Sequence, residues 1–178
     1  LELPHAFNII HEKNPNAQLV LVGKDASDII SGNPSTWEMM QHLFTPNALE
    51  KVTYFGPVAY SEVRKQIEKA TVCVFPTYAE ALPVSWLEAM AMEKAIVASN
   101  IGWGNEIVEN GISGFVAHPS NHQEYANKIL QLLDDTALRK SMELKAKERI
   151  LTHFEINLIA NQNLAFYQKI VEQVKRAK

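Results

Sequence analysis

The sequence predicts an α/β fold, a parallel sheet flanked by helices. Three observations predict it. Apolar runs of strand length alternate with amphipathic stretches of helical period, the pattern of strand–helix–strand units. Val72-Cys73-Val74-Phe75 is apolar at every position, as a central strand covered on both faces must be. Strand candidates end on Gly23, Gly56-Pro57 and Pro76, residues that stop a strand and open a turn.

The elements follow in order. Leu3, Ala6, Phe7 and Ile10 share one helix face, and Asn14-Pro15-Asn16 stops that helix. Gln18 to Val22 reads as a strand. Ser35 with Glu38 three residues on is a capping-box signal for a helix carrying Trp37, Met40 and Phe44. Val52 to Phe55 is the next strand. Ser61 is suited to cap a helix with Val63, Ile67 and Ala70 on its buried side. After Val72–Phe75, a helix is predicted from Pro83 to Met92 and a strand from Ala95 to Ala98. A short helix over Glu106–Glu109 ends at Asn110-Gly111, and Phe115–Ala117 is a last short strand. Three helices follow, near 121–133, 136–151 and 155–175. The last presents Ile156, Ile159, Asn163, Tyr167, Ile170 and Val174 on one stripe.

The pattern is Rossmann-like, with one departure. Such a sheet usually opens on a strand, and this chain opens on a helix, so either a first strand lies upstream or the fold is a smaller variant. The length of 178 residues predicts one domain, 1–178, with its C-terminal helices at 121–175. That is short for an enzyme with two ordinary domains around one cleft.

Composition excludes several classes. With 47% hydrophobic and 21% charged residues the chain is ordinary globular protein. The net charge of −3 implies no basic face and weighs against nucleic-acid binding. No apolar run reaches the length of a membrane span. The N-terminus shows no signal-peptide pattern. The single cysteine, Cys73, rules out an internal disulfide framework, and a reducing, cytoplasmic setting fits. Six histidines without HxxxH or HExxH spacing make no metal site. The basic run at Lys175, Arg176 and Lys178 reads as a solvated helix end; peripheral contact with anionic lipid is the weaker reading.

The segment with chemistry runs from Phe75 to Ala91. Glu80 falls in the loop after a strand, and Glu88 on the second turn of the following helix. Ligands of open α/β sheets bind outside the carboxyl ends of the strands. A helix start there offers unpaired N–H groups to a phosphate. Pro83 suits the first helical position, which leaves the N–H groups of Val84 and Ser85 free. Two carboxylates flanking that turn can accept from vicinal sugar hydroxyls. A diphosphate joining two sugars, one a ribose, matches the arrangement. Acidic residues near a helix start also stabilise the dipole with no ligand, and on spacing alone that is the better reading.

The wording of the segment goes further than its spacing. Phe75-Pro76-Thr77, Glu80, Glu88-Ala89-Met90-Ala91 and Ile96-Val97-Ala98-Ser99 stand in one order with Gly102, Glu106-Ile107-Val108, Asn110-Gly111 and Gly114-Phe115-Val116. In this the chain resembles the C-terminal, donor-binding domain of the retaining glycosyltransferases of family 4, half of a GT-B fold. Leu21-Val22-Gly23 and Val52-Thr53-Tyr54-Phe55-Gly56 extend the likeness upstream.

The resemblance implies a hexosyltransferase type of activity, moving a sugar from a nucleotide-diphosphate sugar to an acceptor hydroxyl. Glu80 is the catalytic-site candidate, facing the donor sugar hydroxyls. Glu88 binds the ribose, the backbone of Leu82, Pro83, Val84 and Ser85 approaches the diphosphate, and Val58 sits beside the nucleobase. No metal and no cofactor is implied. The partners implied are the sugar donor, a glycan or lipid-linked acceptor, and an N-terminal acceptor domain upstream. An Arg and a Lys that neutralise the diphosphate are expected there too, so the piece alone is expected to be inactive; Lys24 reads as a loop charge.

Three segments depart from the family pattern. Ala81-Leu82-Pro83 replaces Gly-Phe-Gly, and Pro83 removes one N–H donor. Glu93-Lys94-Ala95 replaces Gly-x-Pro, predicting a turn of different geometry. Gly102-Trp103 replaces a Gly-Gly pair, with Trp103 either filling its loop, the more frequent outcome, or stacking on a sugar. The competing readings are a non-catalytic nucleotide-binding or regulatory α/β module and a dehydrogenase. The residue after Phe75 is Pro76 rather than the Asp a receiver needs, and no Gly-x-Gly-x-x-Gly is present.

Overall fold

A computed structural model describes residues 1–176. Its element order is α1 (Leu3–Lys13), β1 (Leu19–Leu21), α2 (Thr36–Gln41), α3 (Pro46–Leu49), β2 (Val52–Tyr54), α4 (Tyr60–Lys69), β3 (Val72–Phe75) and α5 (Val84–Ala91). Then come β4 (Ala95–Ser99), α6 (Gly104–Ile107), β5 (Phe115–Ala117), α7 (His122–Asp134), α8 (Thr136–Arg149), a π-turn (Ile150–Phe154) and α9 (Ile156–Arg176).

All strand pairs are parallel, and helices flank them. The pairing divides into two sheets, β1-β2 and β3-β4-β5. The middle strand of the three is β4, not β3 as the sequence predicts. β4 is buried at all five positions, while Val72, Val74 and Phe75 of β3 are half-buried. Both β3 and β4 are short and apolar, so pairing order could not be told from hydrophobicity.

Side-chain alternation along β4 divides the core. Ala95 and Val97 face a cluster with Phe7, Ile10, Phe115, Tyr125 and Met142. Ile96 and Ala98 face the other cluster, with Cys73, Trp86, Met90, Ile107 and Ile150. Burial pushes the Cys73 thiol up to about 11, so it behaves as a small core hydrophobe.

Tyr125 ties α7 to both neighbouring strands. Its hydroxyl donates to the Val97 carbonyl at 2.6 Å and accepts from the Phe75 N–H at 3.1 Å. The residue is fully buried. Tyr125→Phe therefore leaves an amide N–H and a carbonyl unsatisfied in the core. A loss of about 2 kcal/mol in urea unfolding is expected; an unchanged midpoint would show that the two backbone groups find other partners.

Local details differ from the sequence reading, each for a visible reason. Ser35 Oγ accepts from the Glu38 N–H at 2.9 Å, but the Ser35 N–H goes to Asn33 Oδ1, so only half the capping box forms. The helix it starts ends at Gln41, before Phe44. Thr45 caps the unpredicted α3, with Pro46 opening it. Ser61 does not cap α4: the chain leaves extended geometry at Ala59, and Ser61 lies inside the first turn. On α4, Val63, Ile67 and Ala70 are half-buried rather than buried. The helix expected over Glu106–Glu109 begins two residues earlier, at Gly104, whose missing side chain lets it meet the Ser99 carbonyl.

Glu93 also overturns its prediction. Its φ is +55°, the left-handed conformation a glycine would supply. The Glu93 N–H reaches the Met90 carbonyl and the Lys94 N–H the Ala89 carbonyl, both at 3.0 Å, which closes α5 in a Schellman motif. The turn keeps the geometry of a glycine turn without the glycine. Lys147 Nζ holds the Glu93 carboxylate at 2.6 Å.

The apolar stripe of α9 forms as predicted, but nothing covers it among the described residues. Ile156 is 78% exposed and Tyr167 63%. Arg176 pairs with Glu172 at 3.9 Å, and Lys178 lies outside the described residues. No helix among the described residues is long and apolar enough to cross a membrane.

Candidate functional site

The site is built at the carboxyl ends of β2, β3 and β4. The Gly23 N–H donates to the Gly56 carbonyl at 3.0 Å, joining the ends of β1 and β2. Gly56 is buried at φ +66°, a conformation that suits glycine and turns the chain toward Val58. Val58 is half-buried between that turn and α4. Lys24, past the end of β1, is exposed.

Two proline-centred turns shape the loop after β3. The Thr77 N–H meets the Phe75 carbonyl at 3.0 Å around Pro76. The Val84 N–H meets the Leu82 carbonyl at 2.9 Å around Pro83, whose φ of −76° and ψ of 84° make an inverse γ-turn. This corrects two expectations. Pro83 is the N-cap of α5 rather than its first residue, and the Val84 N–H is not free. The Ser85 N–H has no acceptor among the described residues, and the residue is exposed.

α5 is amphipathic for a reason that places the site. Trp86, Ala89 and Met90 face the core, and Trp86 stacks on Phe75 with ring centroids 5.9 Å apart. The opposite face carries exposed Val84 and Ser85 with half-buried Glu88, three and four residues apart. Leu82 is exposed and Pro83 buried. Glu80 is half-buried, and no cation pairs with it among the described residues. A Cβ on Gly102 would lie 3.6 Å from the Glu80 carbonyl, so the loop after β4 passes directly beside it. Trp103 follows and is 52% exposed, which contradicts the expectation that it fills its loop.

Two contacts join this region to the rest of the fold, and sequence spacing showed neither. Tyr60 Oη donates to Glu88 Oε1 at 2.7 Å, linking α4 to α5 across 28 residues. Tyr78 Oη donates to Glu2 Oε1 at 2.9 Å, and Glu2 Oε2 meets His122 Nε2, so the Glu80 loop is tied to the starts of α1 and α7. Burial raises the Glu2 carboxyl, but the bonds from His122 and Tyr78 outweigh it and hold the group below the usual carboxylate range. Tyr60 follows Val58 by two residues, which was the one available pointer to it.

These groups lie on an open shelf. Hollows lie along α7 at Asn121, Glu124 and Lys128, and beside Glu109 and Arg149. The shelf offers a free carboxylate, a second carboxylate one helix turn away from an open N–H, and an exposed aromatic. That set can hold a polyhydroxylated anion against one wall.

Known proteins share this fold. Sucrose-phosphate synthase of Thermosynechococcus elongatus superposes with a TM-score of 0.78 at 25% identity, covering 95% of this chain and 42% of that one. The HepE protein of Anabaena, solved with UDP, gives 0.80 at 23% identity over 93% of this chain and 44% of its own. The C-terminal domain of a group 1 glycosyl transferase (LpcC) from Francisella tularensis gives 0.75 at 22% identity, covering 87% and 78%. An α-1,3-N-acetylgalactosaminyltransferase of Campylobacter jejuni, acting on N,N'-diacetylbacillosaminyl-diphospho-undecaprenol by its name, is 34% identical over 123 residues, 69% of this chain and 32% of that protein. The chain thus spans about a third to two fifths of the length of the curated relatives it matches. The family model described as glycosyl transferases group 1 matches residues 2–149. The chain belongs to the group 1 glycosyl transferases, and its parallel α/β fold is that of half a GT-B enzyme.

Proposed function

We propose that the chain is the nucleotide-sugar-binding half of a retaining glycosyltransferase. The intact protein moves a hexose from a nucleoside-diphosphate sugar to an acceptor hydroxyl on a glycan or lipid-linked sugar. The observation that carries this is the shelf formed by Glu80, Glu88 and the open Ser85 N–H at the carboxyl ends of the strands.

The roles follow from chemistry. Glu88 accepts from the ribose hydroxyls, and Val58 lines the nucleobase. The start of α5 faces the diphosphate, where the Ser85 N–H and the positive end of the helix favour an anion. Glu80 accepts from the sugar hydroxyls and fixes the anomeric carbon for attack. Departure of the nucleoside diphosphate is driven by stabilising the charge that develops on it. The proposal calls on no metal: N–H groups and the expected upstream cations take that load. Trp103, half exposed and next in sequence to the Gly102 that passes beside the Glu80 carbonyl, is free to meet a sugar face. An acceptor domain supplies the second wall. The reading places the reaction in the cytoplasm, where nucleotide sugars and a reduced cysteine fit.

Glu88→Gln tests the ribose assignment. The amide keeps an acceptor for Tyr60 but loses the charge. Calorimetry on the intact protein should show nucleoside-diphosphate affinity lower by ~1–3 kcal/mol, as for a hydrogen bond to a charged group. Unchanged affinity would remove Glu88 from the site.

A further inference from the structure

The bond between Tyr60 and Glu88 is hard to explain as packing. Tyr60 is 70% exposed, so its ring contributes little to the core. It stands at the first position of α4, two residues after Val58, and crosses to a carboxylate on another helix. The bond at 2.7 Å uses the one proton of the phenol and one of the two carboxylate oxygens. The phenol is protonated at neutral pH and free to donate, and the contact with Glu88 pushes its titration further upward.

The consequence is a pair of adjacent acceptors. Glu88 Oε2 has no partner in the described residues, and the Tyr60 oxygen, having donated its proton, keeps its lone pairs. We propose that Tyr60 and Glu88 form a two-acceptor ribose site, in which Glu88 takes one hydroxyl of the vicinal diol and the Tyr60 phenolic oxygen takes the other. Tyr60 is then both a positioning residue, fixing the carboxylate, and a specificity residue, reading the second hydroxyl. This rests on the nucleotide-sugar reading above and adds the discrimination of ribose from deoxyribose.

The test is calorimetry on the intact protein. UDP, GDP and ADP are titrated first, and the tightest binder is compared with its 2′-deoxy and 3′-deoxy analogues, in the unaltered protein and in Tyr60→Phe. The unaltered protein should prefer the ribonucleotide over both analogues by about tenfold or more, as one lost hydrogen bond in a fixed site predicts. Tyr60→Phe should weaken the ribonucleotide by a similar factor. It should weaken the analogue that lacks the hydroxyl Tyr60 holds by a clearly smaller factor, the part due to the Glu88 carboxylate it no longer fixes. A merely structural role would weaken all three ligands alike, and that result overturns the proposal. Tighter binding by Tyr60→Phe also overturns it, since Tyr60 would then be masking Glu88. Either failure leaves nucleotide binding by the unaltered protein intact. Absence of binding by the unaltered protein to all three nucleotides overturns the nucleotide-sugar reading and this inference together.

Discussion

Glu80→Ala in the intact protein is expected to lower the rate of sugar transfer about 100-fold while sparing the affinity for the bare nucleoside diphosphate. The magnitude is that of a reacting group released from its aligned position by roughly an ångström. The asymmetry comes from placement. Glu80 lies in the loop, ahead of the γ-turn at Pro83, whereas Glu88 lies beyond it on α5. In the proposed function the sugar end of the donor meets the first and the nucleoside end the second. Loss of the Glu80 carboxylate opens no core cavity, because the side chain is only half-buried. Steady-state transfer assays and calorimetry on the same preparation separate the two effects. Equal damage to transfer and to binding of the nucleoside diphosphate would end the sugar-specific role of Glu80.

Gly104→Ala is expected to destabilise the fold by about 3 kcal/mol, the upper part of the range for forcing an atom into a packed core. A Cβ there would stand 2.1 Å from the Ser99 carbonyl oxygen and 3.7 Å from the Trp86 ring. The oxygen belongs to the backbone of buried β4, so no side chain can swing away to relieve the overlap. For a chain of this size the loss corresponds to a melting temperature lower by about 6–12 °C. The first turn of α6 must shift, and with it its N-cap Trp103 and the preceding Gly102, which passes beside the Glu80 carbonyl. Gly111→Ala is the contrasting control. Nothing lies within 4 Å of its added Cβ, so only the positive φ of 81° is strained. Similar losses at the two glycines would show that the close approach of α6 to β4 is not what Gly104 provides.

Much of the fold was legible because its signals are local. Phe115–Ala117 is a strand with the predicted ends, and α7, α8 and α9 fall within a few residues of their predicted ranges. The periodicity of these stretches and the caps at Asn121 and Asp135 are written in neighbouring residues. The failures concern information that is not local. Pairing order made β4 rather than β3 the middle strand, and apolar runs of equal quality do not encode order. The left-handed Glu93 is held by bonds back to Met90 and Ala89 and by Lys147 from another helix, which its own identity does not announce.

The candidate site divides the same way. Glu80 and Glu88 stand in a run whose wording made them visible. Tyr60 and Tyr78 matter through partners far along the chain, at Glu88 and Glu2, so only the folded arrangement brings them forward. Pro83 was placed one position too far into its helix, because a proline after a loop suits either an N-cap or a first turn. The structure resolves it through the bond from the Val84 N–H to the Leu82 carbonyl.

A crystal structure of the intact protein with a bound nucleoside diphosphate decides whether this shelf is the nucleotide site. The ribose should lie against Glu88, the diphosphate within hydrogen-bond reach of the Ser85 N–H at the start of α5, and the base beside Val58. A nucleotide seated elsewhere, with Glu88 still bonded only to Tyr60 and the Ser85 N–H open, would contradict that assignment.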